Sequence, residues 1–444
     1  MITYAFLQQY WWLIISLLGG LLVFLLFVQG GNALIFTAGR SEEDKQLIVN
    51  STGRKWEFTF TTLVLFGGAF FASFPLFYST SFSGAYWVWV LILITFVFQA
   101  VSYEFQNKAG NILGKTAFRI FLTINGCLAP LLIGTAVGTF FTGSQFIVDK
   151  NAAADALAPV ISTWTSGWHG LEAAANLFNL GMGLTVMFLT MCLGALYLIN
   201  NVDDDKLAGT LRKNLRITSA CFLIFLVIVL VQLLTMEGFA VAPDGTVFME
   251  KGKYLHNFLQ MPAVLAIFLA GAVLIVTGIV LTLTRKGFRR GIWLAAPGTV
   301  LAVMALFLTA GLNGTAYYPS TADLQSSLTI SNSCSSEFTL RTMSVVSLII
   351  PFVIAYIAYA WYKLDSKSLT REELNNMDHK YYTGGLQSVC STGSRIFWLP
   401  VLQQFCADHL PAEMILRERS GSGICKTKGP VLFTKNRTPY IKRT

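Results

Sequence analysis

Charge is what this sequence has least of. Only 12% of its 444 residues are charged, about half the share usual in a soluble globular chain, while 54% are hydrophobic and the mean hydropathy is +0.59. Residues 1–39 contain no Asp, Glu, Lys, Arg or His, and neither does the run from Phe58 to Tyr103. A surface so poor in charge excludes a soluble cytosolic enzyme, and the chain reads as a polytopic membrane protein. Barrel strands would alternate apolar and polar residues over about ten positions. Here the apolar runs are continuous and helix-length, so the spans are helices. A cleavable leader is not expected, because the first apolar run continues into Phe24–Val28.

Histidine is nearly as scarce. The four are His169, His256, His379 and His409, and none falls inside an apolar run. Haem in a membrane bundle usually needs an inward His, or a Met paired with one, so no entire haem site is expected here. Met182, Met187, Met191 and Met304 read as packing. The seven Cys show no CxxC or metal-like spacing, and Cys127, Cys192 and Cys221 read as small buried side chains. Rossmann, Walker and nucleophile-elbow patterns do not occur in context. The membrane portion has no contiguous basic face, so nucleic acid is not an expected partner.

Nine apolar segments remain, at 9–36, 58–79, 85–103, 119–143, 173–200, 217–236, 260–284, 291–312 and 342–362, the second and third joined by a tight turn at Ser81–Gly84. The expected fold is therefore an all-α membrane bundle of about nine helices. Connections after the first, third, fifth and seventh segments hold fifteen basic residues: Arg40, Lys45, Arg54, Lys55; Lys108, Lys115, Arg119; Lys206, Arg212, Lys213, Arg216; Arg285, Lys286, Arg289, Arg290. The alternate connections hold four, Lys150, Lys251, Lys253 and Arg341. The positive-inside rule then puts the N-terminus outside and the C-terminus in the cytoplasm. The division expected is a transmembrane domain over 1–363, a polar cytoplasmic end over 364–382, helix-like at 369–374, and an atypical, poorly ordered tail over 383–444. A small accessory domain is the rival reading of that tail, which holds Cys390, Cys406 and Cys425.

Polar groups inside apolar runs are expensive and carry the functional signal. Gln29 and Asn32 lie on one face of the first span, beside Gly30 and Gly31. They are either interhelical hydrogen-bonding glue or the lining of a proton path or cofactor edge. Trp56-Glu57 opens the second span, and Gln99 and Glu104 close the third on the same side. Trp56 and Glu57 read equally as an interfacial anchor beside basic neighbours, or, with Glu104, as the start of a proton relay. Asn125, Asn176, Asn179 and Gln232 read as packing hydrogen bonds, and Glu237 as solvated. The long connection from Tyr317 to Leu340 is rich in hydroxyls and reads as an outward loop, with a short helix capped by Ser336 or Thr339.

That loop resembles the one before the last helix in subunit II of the cytochrome bd-type quinol oxidases. Pro319-Ser320-Thr321, Ser327-Leu328-Thr329 and Ser335-Ser336-Glu337-Phe338-Thr339-Leu340 match the family pattern, as do Trp11-Trp12, Gly39-Arg40, Asn50-Ser51, Trp56 before an acid, Gly67-Gly68-Ala69, Phe82-Ser83-Gly84 and Tyr381-Tyr382. The resemblance covers residues 1–382. It implies a nine-helix subunit in a bacterial cytoplasmic (inner) membrane, paired with a haem-bearing subunit I. Small single-helix subunits, lipid and quinone are further partners. Quinol is the substrate, dioxygen is reduced to water, and haems b and d are ligated by the partner, none by this chain. This subunit would support that partner and contribute a proton or oxygen route. Where many members carry Trp-Asp this chain has Trp56-Glu57. Where they carry Asp-Gly-x-Asp it has Gln29-Gly30-Gly31-Asn32, and an Arg near the end of the third span is Gln99, with the nearby acid kept as Glu104. The carboxyl-bearing candidates for a proton path thus become Glu57 and Glu104. A secondary transporter or channel is the alternative. It would show interrupted helices in matched repeats and midplane ionisable groups, and neither is evident. A scaffold for another membrane complex is a third reading.

Overall fold

The computed structural model describes residues 3–108, 110–154, 160–285, 287–364 and 369. The readings made for 364–382 (apart from Leu364 and Leu369) and for 383–444, including three cysteines and two histidines, lie outside the described residues. Among those described the chain is mostly helical, as expected, with two small antiparallel hairpins at one end of the bundle.

The helices in order are α1 (Tyr4–Ala33), α2 (Glu42–Gly53), α3 (Trp56–Ser73), α4 (Tyr86–Phe105), α5 (Gly114–Thr142), α6 (Leu177–Asn201), α7 (Asp205–Thr235), α8 (Lys253–Gln260), α9 (Pro262–Thr284), α10 (Ile292–Gly311) and α11 (Glu337–Lys363). Their starts are written in cap residues. Ser41 and Asp44 form a reciprocal capping box on α2, and Asn176, Asp204 and Ser336 each accept first-turn backbone N–H bonds on α6, α7 and α11. Ser336 is thus a cap as expected, although of the last span itself. Helix α7 begins twelve residues before the expected 217, because Asp204 caps it and Leu207, Leu211 and Leu215 bury one helical stripe through a polar segment.

The turn expected at Ser81–Gly84 needs correction. The second span breaks earlier, at Phe74-Pro75, and Pro75–Ser83 runs on at 119° to α3, Tyr78–Ser83 being π-helical. Proline lacks the N–H that would continue the helix and pushes its predecessor out of the α region; Phe74 accordingly has φ −131° and ψ 66°.

Among the described residues eight helices are long and apolar enough to cross a membrane, or nine when the broken pair counts as one. Hydrogen bonding between the two ends of that stretch decides for nine. Ser51 Oγ donates to Asn201 Oδ1 at 2.7 Å, so both lie at one end of the bundle. Between them run α4, α5 and α6, three spans, and only a crossing by α3 makes the number even. The backbone of Leu369 also pairs with Asn201 and Asp203, at 3.1 and 2.9 Å, which brings the chain after α11 to that same end. The N-terminal end is the opposite one, where the Tyr4 hydroxyl donates to the Ser335 carbonyl at 2.7 Å.

Helix α1 sits at the centre of the packing. Gly30 lets it touch α6 backbone to backbone: a Cβ there would lie 1.7 Å from the Thr190 carbonyl oxygen. Trp12, fully buried, donates its indole N–H to the Phe307 carbonyl at 3.0 Å, and Trp11 reaches Leu340 O and Ser344 Oγ. The Trp-Trp pair thereby ties α1 to α10 and α11.

The hydroxyl-rich loop is a set of stitches across the N-terminal end. Ser320 Oγ donates to the Phe146 carbonyl, its N–H goes to Ser327 Oγ, and Ser326 Oγ accepts from Val148 N. Ser335 donates to the Ala72 and Ser73 carbonyls at the break of the second span. These hydroxyls take up backbone groups that irregular loops would otherwise leave unpaired.

Candidate functional site

At the end away from the N-terminus, α1, α2 and α4 bury polar side chains together. Gln29 and Asn32 point one way because they stand three residues apart on α1. Gln29 Nε2 donates to Gln99 Oε1 at 2.9 Å, and Asn32 Oδ1 accepts from Tyr103 OH at 2.7 Å and Thr52 Oγ1 at 3.0 Å. Tyr103 OH and Thr52 Oγ1 are themselves 2.8 Å apart. All five residues are buried, none exposing more than 1%. Gln99 and Tyr103 are one helical turn apart on α4, so the group forms a column running toward the bundle end.

Some atoms of this column have no protein partner among the described residues: Gln29 Oε1, Gln99 Nε2 and Asn32 Nδ2. A buried amide half that goes unsatisfied costs about 1–3 kcal/mol. Such groups in native proteins are usually met by ordered water. The column thus joins the three helices by hydrogen bonds while keeping donor and acceptor capacity that these bonds do not use.

The structure places the other expected residues at the end of this column, outside it. The Trp56 ring stacks on Tyr103, centroids 6.1 Å apart and 26° between planes. Glu57, the next residue, is exposed, and no hydrogen bond or ion pair of it is found among the described residues. Glu104 follows Tyr103 on α4, is half-exposed and pairs with Lys108 at 3.1 Å. Gln29, Asn32 and Gln99 are thus brought together, Trp56 caps them, and the two carboxylates stand at the surface beside that cap. Lys55 turns inward, its ammonium 4.5 Å from the Trp361 ring centroid. Reading the sequence for polar residues in apolar runs missed Tyr103 and Thr52. The signals were there: Tyr103 one turn after Gln99, and Thr52 beside Asn50-Ser51.

A buried arginine holds α2 over the site. Arg119, at the start of α5 and 2% exposed, pairs with Glu42 and donates to Gln46 Oε1 at 3.2 Å. Lys45 and Arg119 together hold the Glu42 carboxyl down to about 2. Asn125 donates to Thr95 O, and Asn179 accepts from Thr142, the packing roles expected of them.

Two of the four histidines are among the described residues. His169 lies in the α5–α6 connection with Nδ1 3.1 Å from the Gly84 carbonyl, and His256 is on the short α8 with Nδ1 2.7 Å from Glu250. Neither is in a span. No cluster of three or more His, Cys, Asp or Glu able to hold a metal occurs among the described residues.

Comparison with known proteins bears on what such a bundle serves. Residues 7–364 match the family model described as cytochrome bd terminal oxidase subunit II. Cytochrome bd-I ubiquinol oxidase subunit 2 of Escherichia coli (strain K12) is 28% identical over 396 residues, covering 86% of this chain and 100% of that one. Cytochrome bd ubiquinol oxidase subunit 2 of Bacillus subtilis (strain 168) is 23% identical, covering 81% and 96%. A chain in the structure of bd oxidase from Geobacillus thermodenitrificans shares the fold, with a TM-score of 0.57 at 14% identity over 81% of this chain and 98% of that one. Taken with nine apolar spans, this places the protein in the membrane and in a complex with at least one other subunit. The chain belongs to the subunit II family of the cytochrome bd terminal oxidases, membrane complexes that oxidise quinol and reduce dioxygen.

Proposed function

We propose that this chain is the haem-free half of its oxidase and that it takes in protons for the partner. The partner would be a haem-bearing subunit I in a bacterial inner membrane, and the basic loops favour the N-terminus outside. The observation that carries the proton reading is the buried column itself. Glu57 and Glu104 each adjoin a residue of the ring pair Trp56–Tyr103 at its cytoplasmic end. The carboxylates collect protons from bulk water, and the Tyr103 and Thr52 hydroxyls pass them inward. The amides of Gln29, Gln99 and Asn32 orient the chain of hydrogen bonds, since an amide holds no net proton at neutral pH. The haems, when bound by the partner, supply the electron transfer to dioxygen.

The test uses the assembled oxidase. Glu57→Gln and Glu104→Gln keep side-chain size and remove the titrating proton. Together they are expected to slow oxygen uptake at saturating quinol about tenfold, less than the roughly 10²–10⁴-fold of a general acid–base group at the reacting atoms because they only feed protons to the path, and to flatten its pH dependence. Haem content and subunit association should be unchanged. Wild-type uptake across the pH range in the single and double variants would leave both acids as boundary anchors.

Haem ligation by the partner alone rests on the two loop histidines and on the empty roster of histidines in the spans. Expressed without its partner and given haem, the chain should show no stoichiometric Soret band. A tight haem lost on mutation of one residue here would reverse this assignment.

A further inference from the structure

Near the N-terminal end a cavity of about 280 Å³ lies among α1, α3, α4, α5 and α10, roofed by the segment that leads from the short strand Ser162–Trp164 to α6. Its lining joins apolar side chains, among them Leu63, Phe66 and Val137, to polar ones, among them Ser81, Thr142 and Glu172. Two side-chain bonds hold the roof, one to the broken second span and one to Gly84 just after it, beside the Thr165 N–H bond to the Gln145 carbonyl. Trp164 Nε1 donates to the Thr80 carbonyl at 2.8 Å, and His169 Nδ1 sits 3.1 Å from the Gly84 carbonyl, which requires the Nδ1–H tautomer.

Both contacts are built closely. A Cβ on Gly84 would lie 1.8 Å from Trp164 Nε1, so only glycine admits the indole there. The His169 backbone has φ 39°, a left-handed conformation uncommon outside glycine, and its ring lies 4.6 Å from that of Tyr86. Glu172 accepts the Gly170 N–H at 2.9 Å through Oε2, while its Oε1 is buried without a protein partner among the described residues. A strained residue clamped over a cavity mouth is the arrangement in which stored conformational energy favours opening once the clamp is released.

We propose that residues 164–172 form a strap across the cavity mouth, latched by the Trp164 and His169 hydrogen bonds to Thr80 and Gly84, and that its release governs entry into the cavity. Trp164, Gly170 and Glu172 of this segment line the cavity directly, and the segment lies outside the spans, so it can move without separating helices. Opening about the paired Trp164 backbone breaks these two side-chain bonds and the Thr165 N–H bond to the Gln145 carbonyl, 3.1 Å, and relaxes one left-handed residue.

The experiment follows entry directly in the assembled oxidase. Val137→Cys puts a thiol on the cavity wall, and its reaction with N-ethylmaleimide is followed by mass spectrometry of that peptide. Native Cys127, on the same helix and not among the cavity-lining residues, is followed in parallel. Trp164→Phe keeps an aromatic ring without the N–H, and His169→Asn keeps a residue type that tolerates the left-handed backbone. Each should speed labelling at position 137 severalfold and the pair about tenfold, as expected for losing hydrogen bonds of ordinary strength, with Cys127 labelling unchanged. Equal rates at 137 in all variants would overturn the strap. So would an equal acceleration at both thiols, which would mean that the bundle had loosened as a whole.

Discussion

Gly30→Ala is expected to destabilise the bundle by about 3 kcal/mol or more, beyond the usual range for overpacking. The added methyl would stand 1.7 Å from the Thr190 carbonyl oxygen and 2.7 Å from the Met191 nitrogen. Both are backbone atoms of α6, so no side chain can turn aside, and α1 must move away bodily. That move would also pull Gln29 and Asn32 from Gln99 and Tyr103, whose bonds to them depend on the same face of α1. The check is the unfolding midpoint and yield of the detergent-solubilised oxidase, with Gly68→Ala beside it. Gly68 faces open space, and alanine there should be neutral or gain up to about 1 kcal/mol from helix propensity. Similar behaviour of the two variants would refute the close-approach account.

Trp12→Ala should cost about 3–5 kcal/mol, the range for emptying a fully buried aromatic site. The indole packs edge-on against Phe74 at 5.7 Å and tilted against Tyr317 at 4.5 Å, so its loss opens a cavity where α1, the second-span break and the loop after α10 meet. Trp12→Phe keeps most of that packing and loses the bond to Phe307 O, at a cost of about 1 kcal/mol plus the missing ring volume. Trp87, 45% exposed on α4, provides the contrast. If Trp12→Ala and Trp87→Ala lower the midpoint equally, burial is not what makes the Trp-Trp pair matter.

The spans were legible because bilayer-length apolar runs leave little choice of structure. The break in the second span is legible in Pro75, whereas the polar cluster Ser81–Gly84 draws the eye to a later point, where Ser81–Ser83 are π-helical and only Gly84 lies in a turn. Gln29, Asn32 and Gln99 stood out as polar residues in apolar runs, and they do meet. Tyr103 and Thr52 did not stand out. A tyrosine at a span end is ordinary in a membrane protein, and Thr52 sits in a helix too polar to suggest burial. Glu57 and Glu104 were conspicuous for their charge, yet the same charge keeps them at the surface, where a carboxylate has least to lose. The hydroxyl loop was visible as polar sequence, but its partners at Phe146 and Ala72 are far off in the chain, and local pattern carries no record of such pairings.

The stitched loop has a consequence for how the protein meets its surroundings. With the N-terminus outward, as proposed, the face turned to the external medium is closed chiefly by serine and threonine hydroxyls bonded to backbone groups. Such bonds neither titrate nor weaken when ions screen charge. The opposite face is fastened by ion pairs, Arg119 with Glu42 and Arg289 with Asp203 and Asp205. The lowered Glu42 carboxyl lends its full support above the ordinary carboxylate range and loses it as pH falls toward about 2. The ion pairs at the N-terminal end are local ones, Lys253 and His256 with Glu250 and Arg341 with Glu337, so there the ties between distant segments in this set are the neutral hydroxyl bonds, whereas at the opposite end ion pairs that answer to acid and salt join distant segments.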